Sequence, residues 1–364
     1  MNKNKKLKIA VAMSGGVDSS VAAKLLKNQG HEVIGIFLHF WHENRGLSIA
    51  ENKCCSTEAL LDARRVADKI GIRLYALNFA GEFKRQVVDN FLTEYSRGRT
   101  PNPCVRCNKL VKLGYLIKQA KKLGFDQVAS GHYALIKKAK KQKSQNSIYK
   151  LYKANDKNKD QSYFLYTFKQ NELKHLLFPL GNYTKPEVRA MAKKFKLLVA
   201  EKKESQEICF IAERDHNDFL KRHLKLKSGK IKTFVGKVLG NHGGLPLYTI
   251  GQRKGIEIGG TGPYYVAKMD YKKNILYVVD DNQDSRIFKS GLIAKNVNWI
   301  AVRPRLPLKC QAVIRYRHQP VKCIVKKSGV NYDVKFKDPQ RAVTPGQSVV
   351  FYSGKQVLGG GIIS

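Results

Sequence analysis

Two stretches of this chain carry residue types at spacings that chemistry needs. The first is Ala12-Met13-Ser14-Gly15-Gly16-Val17-Asp18-Ser19, which lies after an apolar run over 9–13 and opens a helix-patterned stretch over 19–28. Its glycines let the backbone approach an anion closely. Its hydroxyls and the N–H groups at the helix start can hold phosphate. It is not a Walker A loop, because no Gly-Lys-Ser/Thr closes it, and it lacks the GxGxxG of dinucleotide binders. The second stretch is Arg99-Thr100-Pro101-Asn102-Pro103-Cys104-Val105-Arg106-Cys107-Asn108-Lys109. Two prolines fix a rigid turn and present Cys104 to Lys109 at a helix start. That position, with Arg106 and Lys109 nearby, favours a thiolate and makes Cys107 a candidate nucleophile. Cys209, in Glu204-Ser205-Gln206-Glu207-Ile208-Cys209-Phe210-Ile211, supplies a further thiol. Cys104, Cys107 and Cys209 together could also hold an iron–sulfur cluster with one open iron, or a zinc. Cys54, Cys55, Cys310 and Cys323 read as small buried hydrophobes.

These residues need a scaffold. The first half of the chain alternates short apolar runs (9–13, 33–38, 72–77, 127–129) with amphipathic stretches (19–28, 57–70, 83–95, 109–123). Ser56 is placed to cap the helix over 57–70 and Gly71 to end it. Strand–helix alternation predicts an α/β, doubly wound parallel sheet, with ligands at the carboxyl ends of its strands. The Lys- and Asn-rich stretch 137–159 reads as an exposed hairpin or insertion, and 186–196 as a helix with Pro in its first turn. Beyond about residue 220 glycine becomes frequent and short β runs take over. They predict a small, mostly β linking domain and then a C-terminal β-barrel. The expected domains are 1–218, 219–283 and 284–364.

The chain has 364 residues, with 68 Lys and Arg against 28 Asp and Glu, a formal net charge of +40. Hydrophobic residues make up 43% and aromatics 10%, enough for real cores, which excludes a disordered basic tail. The charge predicts attraction to polyanions. Residues 221–364 hold 27 basic and 7 acidic side chains, half of the net charge, so the C-terminal part is the better polyanion surface. No stretch is apolar enough to span a membrane, and the run over 9–13 is too short for a signal peptide. Seven cysteines do not make a secreted disulfide framework, which places the expected location in the cytoplasm.

The Ser-Gly-Gly-Val-Asp-Ser loop resembles the pyrophosphate loop of enzymes that split ATP between its α and β phosphates. In such a loop Asp18 helps to bind the Mg²⁺ that accompanies pyrophosphate. Further motifs occur in order along the chain: Thr100-Pro101-Asn102-Pro103 with Cys107-Asn108-Lys109, Ser130-Gly131-His132-Tyr133-Ala134, Lys159-Asp160-Gln161-Ser162-Tyr163-Phe164-Leu165, Glu204-Ser205-Gln206 with Cys209-Phe210-Ile211, Thr249-Ile250-Gly251-Gln252-Arg253-Lys254-Gly255 and Thr344-Pro345-Gly346-Gln347. Together they resemble the tRNA-specific 2-thiouridylases over nearly the whole chain. The resemblance implies adenylation of the carbon-2 oxygen of a wobble uridine in tRNA, then its replacement by sulfur. Cys209 would carry a persulfide loaded by a sulfur-relay or cysteine desulfurase partner. Cys107 would be the second catalytic thiol, passing through a Cys107–Cys209 disulfide that a reductant resets. ATP is expected on Ala12, Met13, Ser14, Gly15, Gly16, Val17, Asp18 and Ser19, with Leu38 and Gly131 near adenine and ribose. The target base is expected against Asn102, Pro103 and Cys104. The tRNA is expected at His132, Lys159, Asp160, Gln161, Arg315, Tyr316 and Gln347. Many family members carry Asp where this chain has Cys104. A GMP synthetase shares the loop, but this chain has no glutamine-amidotransferase segment.

Overall fold

The computed structural model describes residues 6–45, 48–49, 56–140, 147–203, 208–211, 216–256, 258–259 and 262–364. Cys54, Cys55 and the Glu204-Ser205-Gln206-Glu207 part of the Cys209 motif lie outside these residues.

Five strands, β1 (Lys8–Met13), β2 (Glu32–His39), β3 (Leu74–Asn78), β4 (Gln127–Ser130) and β5 (Leu176–Leu177), form one sheet in the order β3-β2-β1-β4-β5. Every pairing is parallel. The central strand β1 is buried from Ile9 to Met13, which is why it reads as an unbroken apolar run. Strand order reverses at β1, whose Ala12 pairs with Ile36 on one side and Ser130 on the other. A parallel sheet opens a crevice at such a point, just beyond the strand ends. The helices α1 (Val17–Asn28) and α2 (Thr57–Ile70) cover the sheet. Ser56 Oγ accepts from Ala59 N at 3.1 Å, and Gly71 ends α2 at φ +75°.

The helical stretches at Ala80–Ser96 and Pro103–Lys122 each contain one wider π turn, at Lys84–Val88 and Asn108–Lys112. The second turn begins directly after Cys107 and closes through Leu113 N donating to Asn108 O at 3.1 Å. A Cβ on Gly114 would lie 1.8 Å from the Lys109 carbonyl, so glycine permits this irregularity. Such turns often mark functional positions.

Residues 229–279 form a four-stranded middle sheet, Val238–His242, Gly229–Lys232, Ile275–Val279 and Tyr265–Asp270 in that order. After it, Phe288–Trp299, Asn331–Arg341, Val321–Ser328, Leu308–Val313, Ser348–Ser353 and Gln356–Ile363 pair in turn, and the last closes on the first as a six-stranded barrel.

The hairpin expected to project from the surface does something else. Ala134–Lys140 and Ser147–Lys153 pair with each other, and Leu151 and Tyr152 pair with Val357 and Gln356 of the barrel. Leu151 is fully buried there, and Lys153 N donates to Lys355 O at 2.8 Å. The hairpin is therefore a weld between the first domain and the barrel. Lys137 and Lys138 are exposed, and such residues make the stretch look like surface in sequence. Tyr163 OH donates to Ser348 O at 2.9 Å, and Asn298 Nδ2 donates to the carbonyls of Tyr166 and Phe168, tightening the same seam.

Candidate active site

The phosphate loop is folded before any ligand arrives. Ser14 N donates to Ser19 Oγ at 3.2 Å, and Ser20 Oγ donates to Gly16 O at 2.8 Å. Gly15 sits at φ +66°, and a Cβ there would meet Ala59 O at 2.2 Å, so α2 supports the loop from below. Gly131 closes the other side: its Cβ would lie 2.7 Å from Ser19 N. No larger residue fits at either position.

A cavity of about 470 Å³ opens in front of the loop, a size suited to a nucleotide-scale ligand. Its wall contains Ala12, Ser14, Gly15, Gly16, Val17, Asp18, Ser19, Cys104, Gly131, His132, Lys159, Gln161 and Tyr316, all expected from sequence. Lys112, Lys185, Lys202, Lys203 and Arg317 also line it, and Asp18 is the lone carboxylate among the described lining residues. That imbalance suits a polyphosphate.

Lys185 is a site residue that sequence reasoning missed. Its side chain is only 9% exposed, and its Nζ lies 2.6 Å from Asp18 Oδ1, which also accepts from Tyr133 OH at 2.9 Å. A signal exists in the chain: a lysine in the first turn of a helix opposes the helix dipole, so something else must hold it there. These two donors on Asp18 bear on Mg²⁺. Among the described residues no three His, Cys, Asp or Glu side chains are grouped to hold a metal. Asp18, the lone carboxylate among the described lining residues, already receives two donors. Cys104, Cys107 and Cys209 are likewise not gathered as iron–sulfur or zinc ligands.

The thiols occupy different settings. Cys104 is exposed at the cavity wall, whereas Cys107 and Cys209 are half-buried against the core. Asn102 caps the Cys107 helix by accepting from Val105 N at 3.2 Å, and Pro103 sits in its first turn. The expected cationic neighbours of Cys107 are engaged elsewhere. Arg106 donates to the carbonyl of Gln86, and Lys109 pairs with Glu172. Local sequence puts those charges beside the thiol, but tertiary partners claim them. Cys209 is held through Phe210, whose ring meets Phe83, Phe91 and Phe219 at 5.7, 5.3 and 5.7 Å. Such pairs add about 0.5–1.5 kcal/mol each beyond burial.

Other expected residues divide by job. His132 is buried, with Nδ1 2.7 Å from Ser130 Oγ, and burial, then Lys112, pushes its pKa well below the usual value. A neutral imidazole therefore faces the phosphate pocket. Asp160 turns inward and accepts from Ala154 N, Ser162 N and Ser162 Oγ, and burial raises its pKa. Gln161 Oε1 accepts from Tyr133 N at 3.0 Å. Met13 and Leu38 are buried at strand ends, outside the cavity wall.

Gln347 Nε2 donates to Thr100 O at 3.1 Å and Pro101 O at 3.3 Å, and Thr100 N donates to Pro345 O. The barrel thus grips the segment that leads into Asn102. Tyr316 and Arg317 reach from the barrel into the first cavity, with the Tyr316 ring 4.5 Å from Phe164. A second cavity, lined by Arg315, Tyr316 and Gln347 among others, lies between the barrel and the middle domain.

Among the described residues no helix is long and apolar enough to cross a membrane. Three family models match in series: a "tRNA methyl transferase HUP domain" over 7–213, a "tRNA methyl transferase PRC-barrel domain" over 217–280 and an "Aminomethyltransferase beta-barrel domain" over 289–363. A tRNA-specific 2-thiouridylase (MnmA) of Geobacter metallireducens is 46% identical, covering 100% of this chain and 98% of that protein. One from Clostridium tetani is 47% identical over 98% of this chain and 99% of that protein. A third, from Carboxydothermus hydrogenoformans, is 46% identical over 98% of this chain and 97% of that protein.

Proposed function

The chain belongs to the tRNA-specific 2-thiouridylase family, and on that premise we propose that it is a transferase that uses ATP to replace the carbon-2 oxygen of a wobble uridine in tRNA with sulfur. The observation that carries this reading is the composition of the first cavity: a phosphate loop, a ring of lysines, Cys104 and two barrel residues share one space.

The ATP triphosphate lies along Ser14 to Ser19, where backbone N–H groups, the α1 dipole and Lys185 face it. The uridine O2 attacks the α-phosphorus and pyrophosphate leaves, so AMP is now bonded through O2. Terminal sulfur of a persulfide on Cys209 attacks carbon 2 and AMP departs with the oxygen. Cys107 then attacks the Cys209 sulfur, forming a Cys107–Cys209 disulfide and releasing the 2-thiouridine. A dithiol reductant returns the disulfide to two thiols, and a donor protein reloads Cys209. In this scheme Asn102, Pro103 and Cys104 flank the target base, with His132, Lys159 and Gln161 at the RNA. Arg315, Tyr316 and Gln347 extend that RNA surface onto the barrel. Asp160 shapes the turn that presents Lys159. Lys185 fixes Asp18, and with it the first turn of α1.

The test is nucleoside mass spectrometry of unmodified tRNA incubated with the protein, ATP, Mg²⁺ and a sulfur donor. The expected result is 2-thiouridine at the wobble position with stoichiometric AMP. AMP release without tRNA, or AMP without thiolation under reducing conditions, would overturn it.

A further inference from the structure

The second cavity has a volume of about 980 Å³ and shares one wall residue with the first: Tyr316 lines both. Its other walls include Thr249, Gln252 and Lys254 from the middle domain and Arg315, Arg341 and Gln347 from the barrel. These walls are held together tightly. A Cβ on Gly251, which sits at φ +81°, would meet the Ala342 Cβ at 2.5 Å. Arg341 donates to Gly251 O at 3.3 Å, Gln252 Oε1 accepts from Thr249 N at 2.9 Å, and Gln252 Nε2 donates to Lys254 O at 2.9 Å. The loop that bears Gln252 and Lys254 is thus set in place before binding.

The charges in this cavity are unbalanced. Arg315 donates to the Arg341 carbonyl at 3.2 Å, and neither guanidinium makes an ion pair among the described residues. Arg99, Arg222 and Arg286, by contrast, pair with Glu94, Glu43 and Asp284. Burial, then the neighbouring Arg341, lowers the Arg315 pKa, the sign of a cation short of a counter-charge. An exposed and a half-buried guanidinium with a lysine suit a phosphodiester, and the amides and hydroxyls between them suit a base edge.

We propose that this cavity is a second nucleotide site: when the target uridine enters the first cavity, the RNA strand crosses Tyr316 and seats an adjacent nucleotide between Gln252, Lys254, Arg315 and Arg341. The inference rests on the reading of this chain as a tRNA-binding enzyme and adds a place where the sequence around the target is read. Splayed single-stranded nucleotides are the form in which RNA bases are recognised. Gln252 reads the base edge with the one N–H and one lone pair that its two loop bonds leave, while Lys254 and the two arginines hold its phosphate.

The test uses the full chain and transcripts of a tRNA carrying a single abasic residue on either side of the target uridine, with filter binding at several salt concentrations. Wild-type protein is expected to lose about tenfold in affinity when the base on one side is missing, the size of one or two hydrogen bonds, and little on the other side. In Gln252→Ala that discrimination falls to within about twofold, while Lys254→Ala keeps it and lowers the salt slope by about 1. Binding indifferent to both abasic positions, or full discrimination in Gln252→Ala, overturns the proposal. Should Gln252→Ala lose its fold by near-UV circular dichroism, an unchanged salt slope in Lys254→Ala overturns it instead. These readouts need no thiolation. Discrimination without 2-thiouridine would therefore sink the proposed reaction and keep the site.

Discussion

Two pairs of cysteines in this molecule sit in different kinds of structure. Cys107 and Cys209 sit at irregular places. One precedes a π turn, and the other stands on a short segment pinned by an aromatic cluster. Cys310 and Cys323 face each other across adjacent barrel strands with their sulfurs 3.6 Å apart. Cys323 is buried, and both join the barrel core. A hydrogen bond to Cys323, together with burial, raises the Cys310 pKa and keeps its thiol protonated. The barrel pair sits in regular, paired strands, and only its Cys323 is fully buried.

The largest expected effect tests that contrast directly. Cys107→Ser or Cys209→Ser should lower 2-thiouridine formation by on the order of 10³-fold or more, read by nucleoside mass spectrometry. The Cys310→Ala/Cys323→Ala double variant should thiolate within about twofold of wild type; a large loss there would break the comparison. Next comes the phosphate pocket. Lys185→Met frees Asp18 and removes a buried cation from the phosphate pocket, so kcat/KM for ATP should fall about 10²–10³-fold, with partial rescue by Lys185→Arg. An unchanged value would show that Lys185 only supports the helix start.

A smaller effect concerns accessibility. Iodoacetamide at neutral pH should label Cys107 and Cys209 well before Cys310, with peptide mapping as the readout. The sign comes from the raised Cys310 pKa: the reactive thiolate is scarcer at any pH below it. Equal labelling rates in native protein would erase the difference between the pairs. The smallest effect is acid stability around the reactive site. His132 is held neutral, so the unfolded chain binds more protons below about pH 6.5, and stability should fall as pH drops from there. His132→Asn should flatten that acid slope in denaturant titrations, while a matching Cys323→Ala variant should not. An unaltered slope in His132→Asn would mean that other buried histidines carry it.

Much of the fold is legible in the chain. The helix at Thr57–Ile70, its Ser56 cap and its Gly71 end come from local rules alone, as do the buried strand β1 and the loop after it. The phosphate pocket residues from Ser14 to Ser19 are legible because loop, helix start and glycine requirements lie within a few residues of one another. The 137–159 hairpin misleads because a lysine-rich composition reads as surface, while the pairing of Leu151 with Val357 spans most of the chain. Arg106 and Lys109 mislead for the same reason: Gln86 and Glu172 are distant in sequence. Lys185 is invisible to local reasoning because its partner Asp18 lies 167 residues away.

By itself, then, the sequence determined the fold class, the family and the anion loop, since each rests on short-range patterns in which side-chain type and spacing suffice. The tertiary structure decided which charges are used. It turned Asp18 toward Lys185 and Tyr133, drew Arg106 away from Cys107 and left Arg315 beside Arg341 without a carboxylate. It also decided that the barrel, through Tyr316, Arg317 and Gln347, completes a site that the first domain begins. The physical reason is that electrostatic and hydrogen-bond partners are chosen by proximity in space, and in this chain the first domain and the barrel meet at one crevice.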